Sequence, residues 1–220
     1  MKRQFIFLST VLLWGLMINT AAAQLVEGRD YMPLSPPKPT ENSKKIEVIE
    51  FFWYGCIHCY HLEPPLNTWL KHKPADVEFR RVPAVLNPAW VSLTRTYYAL
   101  VALGAADKYH AAIFDAIHRE NRRDIVTDPN AMADWLATKG LDKQKFLDAY
   151  NSFSVNARAQ RAADITGAYN IDGTPTLVIN GKYLIEPSYE GYSVGSQVDY
   201  VAFFHGVDQL IAQERKGRKK

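Results

Sequence analysis

An apolar run, Ile46, Val48, Ile49, Phe51, Phe52 and Trp53, leads within three residues to Cys56-Ile57-His58-Cys59, which holds the only two cysteines of the 220-residue chain. The run reads as a strand buried on both faces, with Glu47 and Glu50 its only charges. The cysteine pair then falls at the first strand-to-helix turn. A bridge inside a four-residue ring removes little freedom from the unfolded chain, because that stabilisation grows with the length of loop closed. The pair is therefore read as redox chemistry rather than as a staple.

The remaining pattern surrounds that turn with alternating elements. After Gly55, the spacing of Leu62, Leu66, Trp69 and Leu70 predicts a helix from Ile57 to about Lys73, kinked or restarted near residue 64 by Pro64 and Pro65. Val77, Phe79 and Val82 predict a second strand ending at Pro83. From Asn87 to about Tyr169 the chain reads as four or five short helices, punctuated by Gly104, Asp128-Pro129, Gly140 and Asn151, with Asp128 and Asp142 as caps. Thr176 to Ile179, Asn180-Gly181 and Tyr183 to Ile185 form a hairpin signal. A last helix from about Val198 to Glu214 aligns Val201, Phe204, Val207, Leu210 and Ile211. The body after the proline-rich stretch is about 175 residues, a size one compact unit can hold.

The N-terminus bears on compartment. Lys2 and Arg3 precede an apolar stretch from Phe5 to Ile18, and Ala21-Ala22-Ala23 offers the small residues a signal peptidase reads, so residues 1–23 are read as a cleaved export signal. A membrane anchor is the competing reading, but a spanning helix needs about 20 apolar residues. No cysteine lies near the cut, which excludes lipid attachment there. Residues 24–44, with Pro33, Pro36, Pro37 and Pro39, read as a linker or a surface strap. The full chain carries 26 Lys and Arg against 23 Asp and Glu, and removing the signal leaves a net +1. Without the basic tail at 215–220 the body is −4, which gives no reason to expect nucleic acid. A short terminal charge run is more often solvated than bound to anything.

Export gives the cysteines meaning, since disulfides persist in an oxidising compartment. The thiolate is the reactive form. A cysteine at a helix N-terminus faces unpaired backbone donors and the positive end of the helix dipole, so Cys56 is expected to be acidic and Cys59, one turn on, less exposed. Each pKa unit is about 1.4 kcal/mol of preference for the charged form. A protein that stabilises its reduced state in this way is a strong oxidant as a disulfide. His58 sits between the two sulfurs, where its ring or its backbone stabilises the Cys56 anion, unless it is a plain exposed first-turn histidine. A structural zinc site is a rival, because Cys56, His58, Cys59 and His61 supply two thiols and two imidazoles. Four ligands so close in sequence cannot converge tetrahedrally, however, and such clusters usually draw a pair from a distant segment.

Taken together, Ile49-Glu50-Phe51-Phe52, Cys56-Ile57-His58-Cys59-Tyr60, Gly173-Thr174-Pro175-Thr176 and Val178-Ile179-Asn180-Gly181-Lys182-Tyr183 resemble the DsbA family of periplasmic thiol:disulfide oxidoreductases, from about residue 44 to 212. The resemblance implies an α/β thioredoxin fold, in parts 45–86 and 171–214, with an all-helical insertion at 87–170. It implies a redox-active Cys56–Cys59 disulfide in place of any bound cofactor or metal. It also implies that Glu50 accepts the proton of Cys59, against the plainer reading of an acid paired with Arg80 or Arg81.

Pro175 would be the cis-proline of that fold, leaving the backbone of Thr174 to pair with an extended client, so that Thr174, Pro175 and Ile57 form the client contact. Trp53, Tyr54 and Tyr60 flank the cysteines as an apolar landing surface or as core. Ile57 departs from the family's commonest pattern, which has proline there. The implied activity is oxidation of cysteine pairs in newly exported proteins by a monomer, with reoxidation by a DsbB-like, quinone-linked membrane protein. An isomerase or reductase of the same fold, or a chaperone-like binding module, are the alternatives.

Overall fold

Strand β2 (Ile46–Phe52) is buried at every position, and the rest of the chain is arranged to cover it. The computed structural model describes residues 24–218, so the expected export signal at 1–23 lies outside the described residues. Along one face of β2, Ile46 and Val48 pack with Leu62, Leu66, Val207 and Leu210; on the other, Ile49 and Phe51 pack with Ala162, Tyr169 and Val178. Alternate side chains thus enter two separate cores, as a doubly covered strand requires.

The helix α1 (Ile57–His72) follows β2 directly, and β3 (Val77–Pro83) returns parallel to it. The chain then leaves the sheet for α2 (Val91–Ala102), α3 (Ala106–His118), α4 (Asp124–Thr127), α5 (Pro129–Thr138), α6 (Lys143–Asn151) and α7 (Phe153–Ala168). It re-enters as the hairpin β4 (Thr176–Ile179) and β5 (Tyr183–Ile185), and ends, after a small β6–β7 pair (Ser193–Val194 and Gln197–Val198), with α8 (Tyr200–Gly217). An edge strand β1 (Met32–Pro33) completes a five-stranded sheet in the order β1-β5-β4-β2-β3.

Caps explain much of the helical block. Asp128 accepts from Asn130 N at 2.8 Å, with Pro129 opening α5; Asp142 accepts from Lys145 N at 2.8 Å, and Ser152 Oγ from Val155 N at 3.2 Å. Each such cap contributes about 1 kcal/mol. The block holds six α-helices rather than four or five. The additional one, α4, is a single turn separated from α3 by Asn121, whose φ is 58°.

Three further expectations are corrected. Of the kink or restart expected near residue 64, the restart does not occur: helix α1 runs unbroken through Pro64 and Pro65. The prolines withhold donors from two carbonyls, but Leu62, Leu66 and Trp69 anchor the same helix in the core. In α8, Val201 is 70% exposed and Phe203 takes its place among the buried residues. This helix starts at the Asp199 cap, which accepts from Val201 N and Ala202 N. The basic terminus is not merely solvated either. Arg215 Nε lies 2.7 Å from Asp76, and Arg218 Nη2 donates to Lys45 O and Asn180 Oδ1; Lys219 and Lys220 lie outside the described residues.

The proline-rich N-terminal segment lies along the hairpin. Leu34 N donates to Lys182 O at 2.6 Å and Lys38 N to Gly181 O at 2.8 Å. Asn180 and Gly181 turn the hairpin with φ of 52° and 65°, and a Cβ on Gly181 would strike the Lys38 carbonyl. Glycine is therefore needed twice there, for conformation and for close approach.

Candidate active site

Cys56 is the N-cap of α1. Its own backbone is extended, its N–H donates to Trp53 O at 2.9 Å, and the first helical donors that follow are free to face its sulfur. Both cysteines are free thiols; Cys56 is half-buried and Cys59 fully buried. The Cys56 pKa is lowered to about 5, first by a hydrogen bond from the Cys59 thiol, then, against the cost of burial, by the Thr174 side chain and the backbone N–H groups of Cys59 and His58. As a thiol, Cys56 Sγ donates to Thr174 O at 3.2 Å. Burial, followed by its closeness to Cys56 and Glu50, pushes Cys59 well above an ordinary thiol. One helical turn thus separates a sulfur that accepts charge from one that refuses it.

Glu50 explains part of that refusal. It shares the β2 face of Ile46 and Val48, beneath α1, and is fully buried. The parallel register sets Glu50 beside Arg81 on β3, and Arg81 Nε donates to Glu50 Oε2 at 2.9 Å. Glu50 Oε1 has no protein partner. Burial drives the Glu50 carboxyl up to about 8 despite the opposing charge of Arg81, and Glu63 pushes the same way. The ion pair weighed as the plainer alternative is present, and it does not cancel the burial.

Beyond Arg81 runs a buried polar chain that the sequence reading passed over. Arg81 Nη2 donates to Glu63 Oε1 at 3.2 Å, His110 Nε2 lies 3.1 Å from the same oxygen, and His110 Nδ1 lies 2.8 Å from the Tyr54 hydroxyl. Burial holds His110 below the usual histidine range, so the neutral ring donates from Nε2 and accepts the Tyr54 proton at Nδ1. Burial works against the Glu63 anion, yet the His110 hydrogen bond and the Arg81 charge outweigh it and hold that carboxyl below its usual range. Two signals were visible. Glu63 lies four residues after Cys59 and so on the same helix face, and His110 shares a face with Ile113, Phe114 and Ile117.

The other expected residues fall on the open side. The Thr174–Pro175 bond is cis, and Thr174 and Pro175 line a cleft of about 200 Å³ with His58, Glu186 and Tyr200. His58 is exposed and adds a cleft wall and a backbone donor. Ile57, the first residue of α1, is 41% exposed beside the cysteine. Of the three flanking aromatics, Tyr54 is core. Trp53 stacks on Trp90 with ring centroids 4.2 Å apart, and the Tyr60 hydroxyl donates to Asp115 at 2.9 Å. Among the described residues no group of three or more His, Cys, Asp or Glu is placed to hold a metal ion.

Known proteins resemble most of this chain. The family described as DSBA-like thioredoxin domain matches residues 47–197. The thiol:disulfide interchange protein DsbA of Burkholderia cepacia is 43% identical over 187 residues, 83% of this chain and 87% of that protein. The protein of the same name from Pseudomonas aeruginosa is 40% identical over 193 residues, 88% and 87% of the two chains. A crystal structure of Pseudomonas aeruginosa DsbA superposes with a TM-score of 0.78 at 40% identity, over 88% of this chain and 96% of that one. The oxidoreductase DsbA from Xylella fastidiosa gives 0.77 at 31%, over 87% and 98%. With a Cys-x-x-Cys pair at the start of the first helix and a helical block set into a thioredoxin sheet, the chain belongs to the DsbA-like thioredoxin family and is a thiol:disulfide oxidoreductase.

Proposed function

We propose that the protein is an exported, monomeric dithiol oxidase that passes a Cys56–Cys59 disulfide to reduced cysteine pairs of newly translocated proteins in the periplasm. A client thiolate attacks Cys56 Sγ. The Cys56–Cys59 bond breaks, and its electron pair goes to Cys59, which takes up a proton. The client's second thiolate then attacks the client sulfur of the mixed disulfide, and Cys56 leaves as a thiolate. The observation that carries this reading is the opposed pair of sulfurs, with Cys56 near 5 and Cys59 pushed far above an ordinary thiol. It makes Cys56 the better leaving group and stabilises the reduced product.

Glu50 donates the proton that Cys59 needs and accepts it again when the dithiol is reoxidised. Its raised pKa and its unpartnered Oε1 support that role, with a water bridging to the sulfur. His58 contributes a backbone donor to the Cys56 anion and a wall to the cleft. The Thr174 main chain pairs with an extended client across Pro175, and Ile57 offers an apolar contact, so recognition depends little on client sequence. The apolar groove of Pro65, Trp69, Val201 and Phe204 adjoins the cleft through Tyr200 and suits unfolded segments. Reoxidation falls to a DsbB-like membrane protein that passes the electrons to quinone; no bound cofactor takes part.

Oxidative refolding of a reduced, multi-cysteine secreted protein tests the reading. Oxidation should depend on stoichiometric disulfide-form protein and fall to the uncatalysed rate with Cys56→Ala. Undiminished oxidation by that variant overturns the assignment. A reduction potential measured against glutathione separates an oxidant from a reductase of the same fold.

A further inference from the structure

A cleft lined by His58, Thr174, Pro175, Glu186, Ser188 and Tyr200 adjoins Cys56 through Thr174, whose carbonyl accepts from Cys56 Sγ. Glu186 is the one carboxylate in that lining. It follows β5 directly, and three hydroxyls hold it: Thr176 Oγ1 donates to Oε1 at 3.2 Å, Tyr189 to the same oxygen at 3.5 Å, and Ser188 Oγ to Oε2 at 3.0 Å. The Thr176 hydroxyl lies closer still to Gly173 O, at 3.0 Å, and shares its one proton between the two, so Glu186 is tied to the loop that carries Pro175.

The other sheltered glutamates behave differently. Glu47 pairs with Arg80, Glu50 and Glu63 with Arg81, and Glu214 with Lys182. Among the described residues Glu186 pairs with no cation. Burial raises its carboxyl above the usual range, and the nearby Asp172 pushes the same way, while Ser188 and Thr176 oppose them. A half-buried carboxylate without a cation gains from one that arrives with a ligand.

We infer that Glu186 is a specificity residue which favours clients bearing a lysine or arginine close to the reacting cysteine. This rests on the reading above, in which a client thiolate attacks Cys56 while its chain lies across Thr174 and Pro175. An extended client advances about 3.3 Å per residue with alternating side chains, so only particular positions on one side of its cysteine face Glu186. A long basic side chain lays its stem on Val198 and Tyr200 and brings its charge to the carboxylate.

The experiment uses the full-length disulfide form and a set of reduced two-cysteine peptides. The peptides are identical except for one Lys, Ala or Glu placed two to four residues either side of the first cysteine. At one or two positions lysine should be oxidised about fivefold faster than alanine, with glutamate slower still. In Glu186→Gln, which keeps an acceptor for Thr176 and removes the charge, the lysine-to-alanine ratio should fall to about one. Salt of about 0.5 M should do the same to the unaltered protein, a control that does not depend on the variant's folding. No preference at any position, or a preference that persists in Glu186→Gln, overturns the inference. If no peptide is oxidised at all, the fault lies in the Cys56 reading, and the inference falls with it.

Discussion

At the more exposed end of the dithiol, Cys56 meets donors. The thiol of Cys59, the Thr174 side chain and two backbone N–H groups converge on Cys56 and hold its pKa at about 5. On its interior side the dithiol meets an enclosed carboxyl. Cys59 is fully buried, faces Glu50, and is driven well above an ordinary thiol. Each wall draws in part on distant sequence: the cleft on the Gly173–Pro175 loop, the interior on β3 and α3. Two identical side chains three positions apart differ partly through each other and partly because their surroundings differ, so the Cys-x-x-Cys spacing supplies only a share of the asymmetry.

Removing Cys59 tests this contrast most severely. Cys59→Ala should lower oxidative turnover by about 10³-fold or more, since no disulfide can be offered. It should also raise the Cys56 pKa, read from thiolate absorbance, because the first of its stabilising contacts is gone. A pKa still near 5 would show that the helix N-terminus suffices without the partner thiol.

The second expectation concerns pH in the unaltered protein. The Cys56 pKa is depressed in the folded reduced state, so the stability it contributes is fully present above the ordinary thiol pKa. That stability is lost as pH falls through about 5. The stability advantage of reduced over oxidised protein should shrink as pH is lowered from about 9 to 5, as followed by denaturant unfolding of both forms. A gap that stays constant across that window removes the proposed source of oxidising power.

Glu50→Gln sharpens the interior side. Between about pH 4.5 and 8 the folded Glu50 keeps a proton that the unfolded chain has released, so stability should fall as pH rises through that window. The variant should lose this fall, gaining on the order of 2 kcal/mol relative to the parent at pH 8. Its dithiol should nevertheless be reoxidised about tenfold more slowly. A rate unchanged from the parent would leave Glu50 as a structural partner of Arg81 only.

Smaller effects probe the cleft rim. A Cβ at residue 55 would run into the Trp53 ring, so Gly55→Ala should cost about 1–3 kcal/mol and weaken the near-ultraviolet signal of the Trp53–Trp90 stack. Thr174→Val deletes one of several contacts to the anion and should raise the Cys56 pKa by less than about one unit. A larger rise would give Thr174 a greater share than its place among four contacts implies.

Much of this molecule was written in local pattern. The apolar density of residues 46–52, the Asp128 and Asp142 caps and the Asn180-Gly181 turn each depend on neighbours in sequence, and each appears in the fold. The placement of Cys56 at a helix start is equally local, and its low pKa follows in part from that alone. What local pattern misjudged was relative orientation. Pro64 and Pro65 pass through α1 because the core grips its other side, and Val201 points outward because α8 packs through Phe203, Val207 and Leu210.

The tertiary structure alone decided which residue types acquire meaning at a distance. Arg81 meets Glu50 through strand register; Glu63 and His110 join the same chain only because α3 packs against α1. Thr174 reaches Cys56 across 118 positions. A charged or polar side chain in a sequence carries no sign of the partner or the dielectric it will meet, and both are set when separate segments close over it. The dithiol and its helix were thus determined by adjacency, while the opposed characters of its two sulfurs were completed by packing.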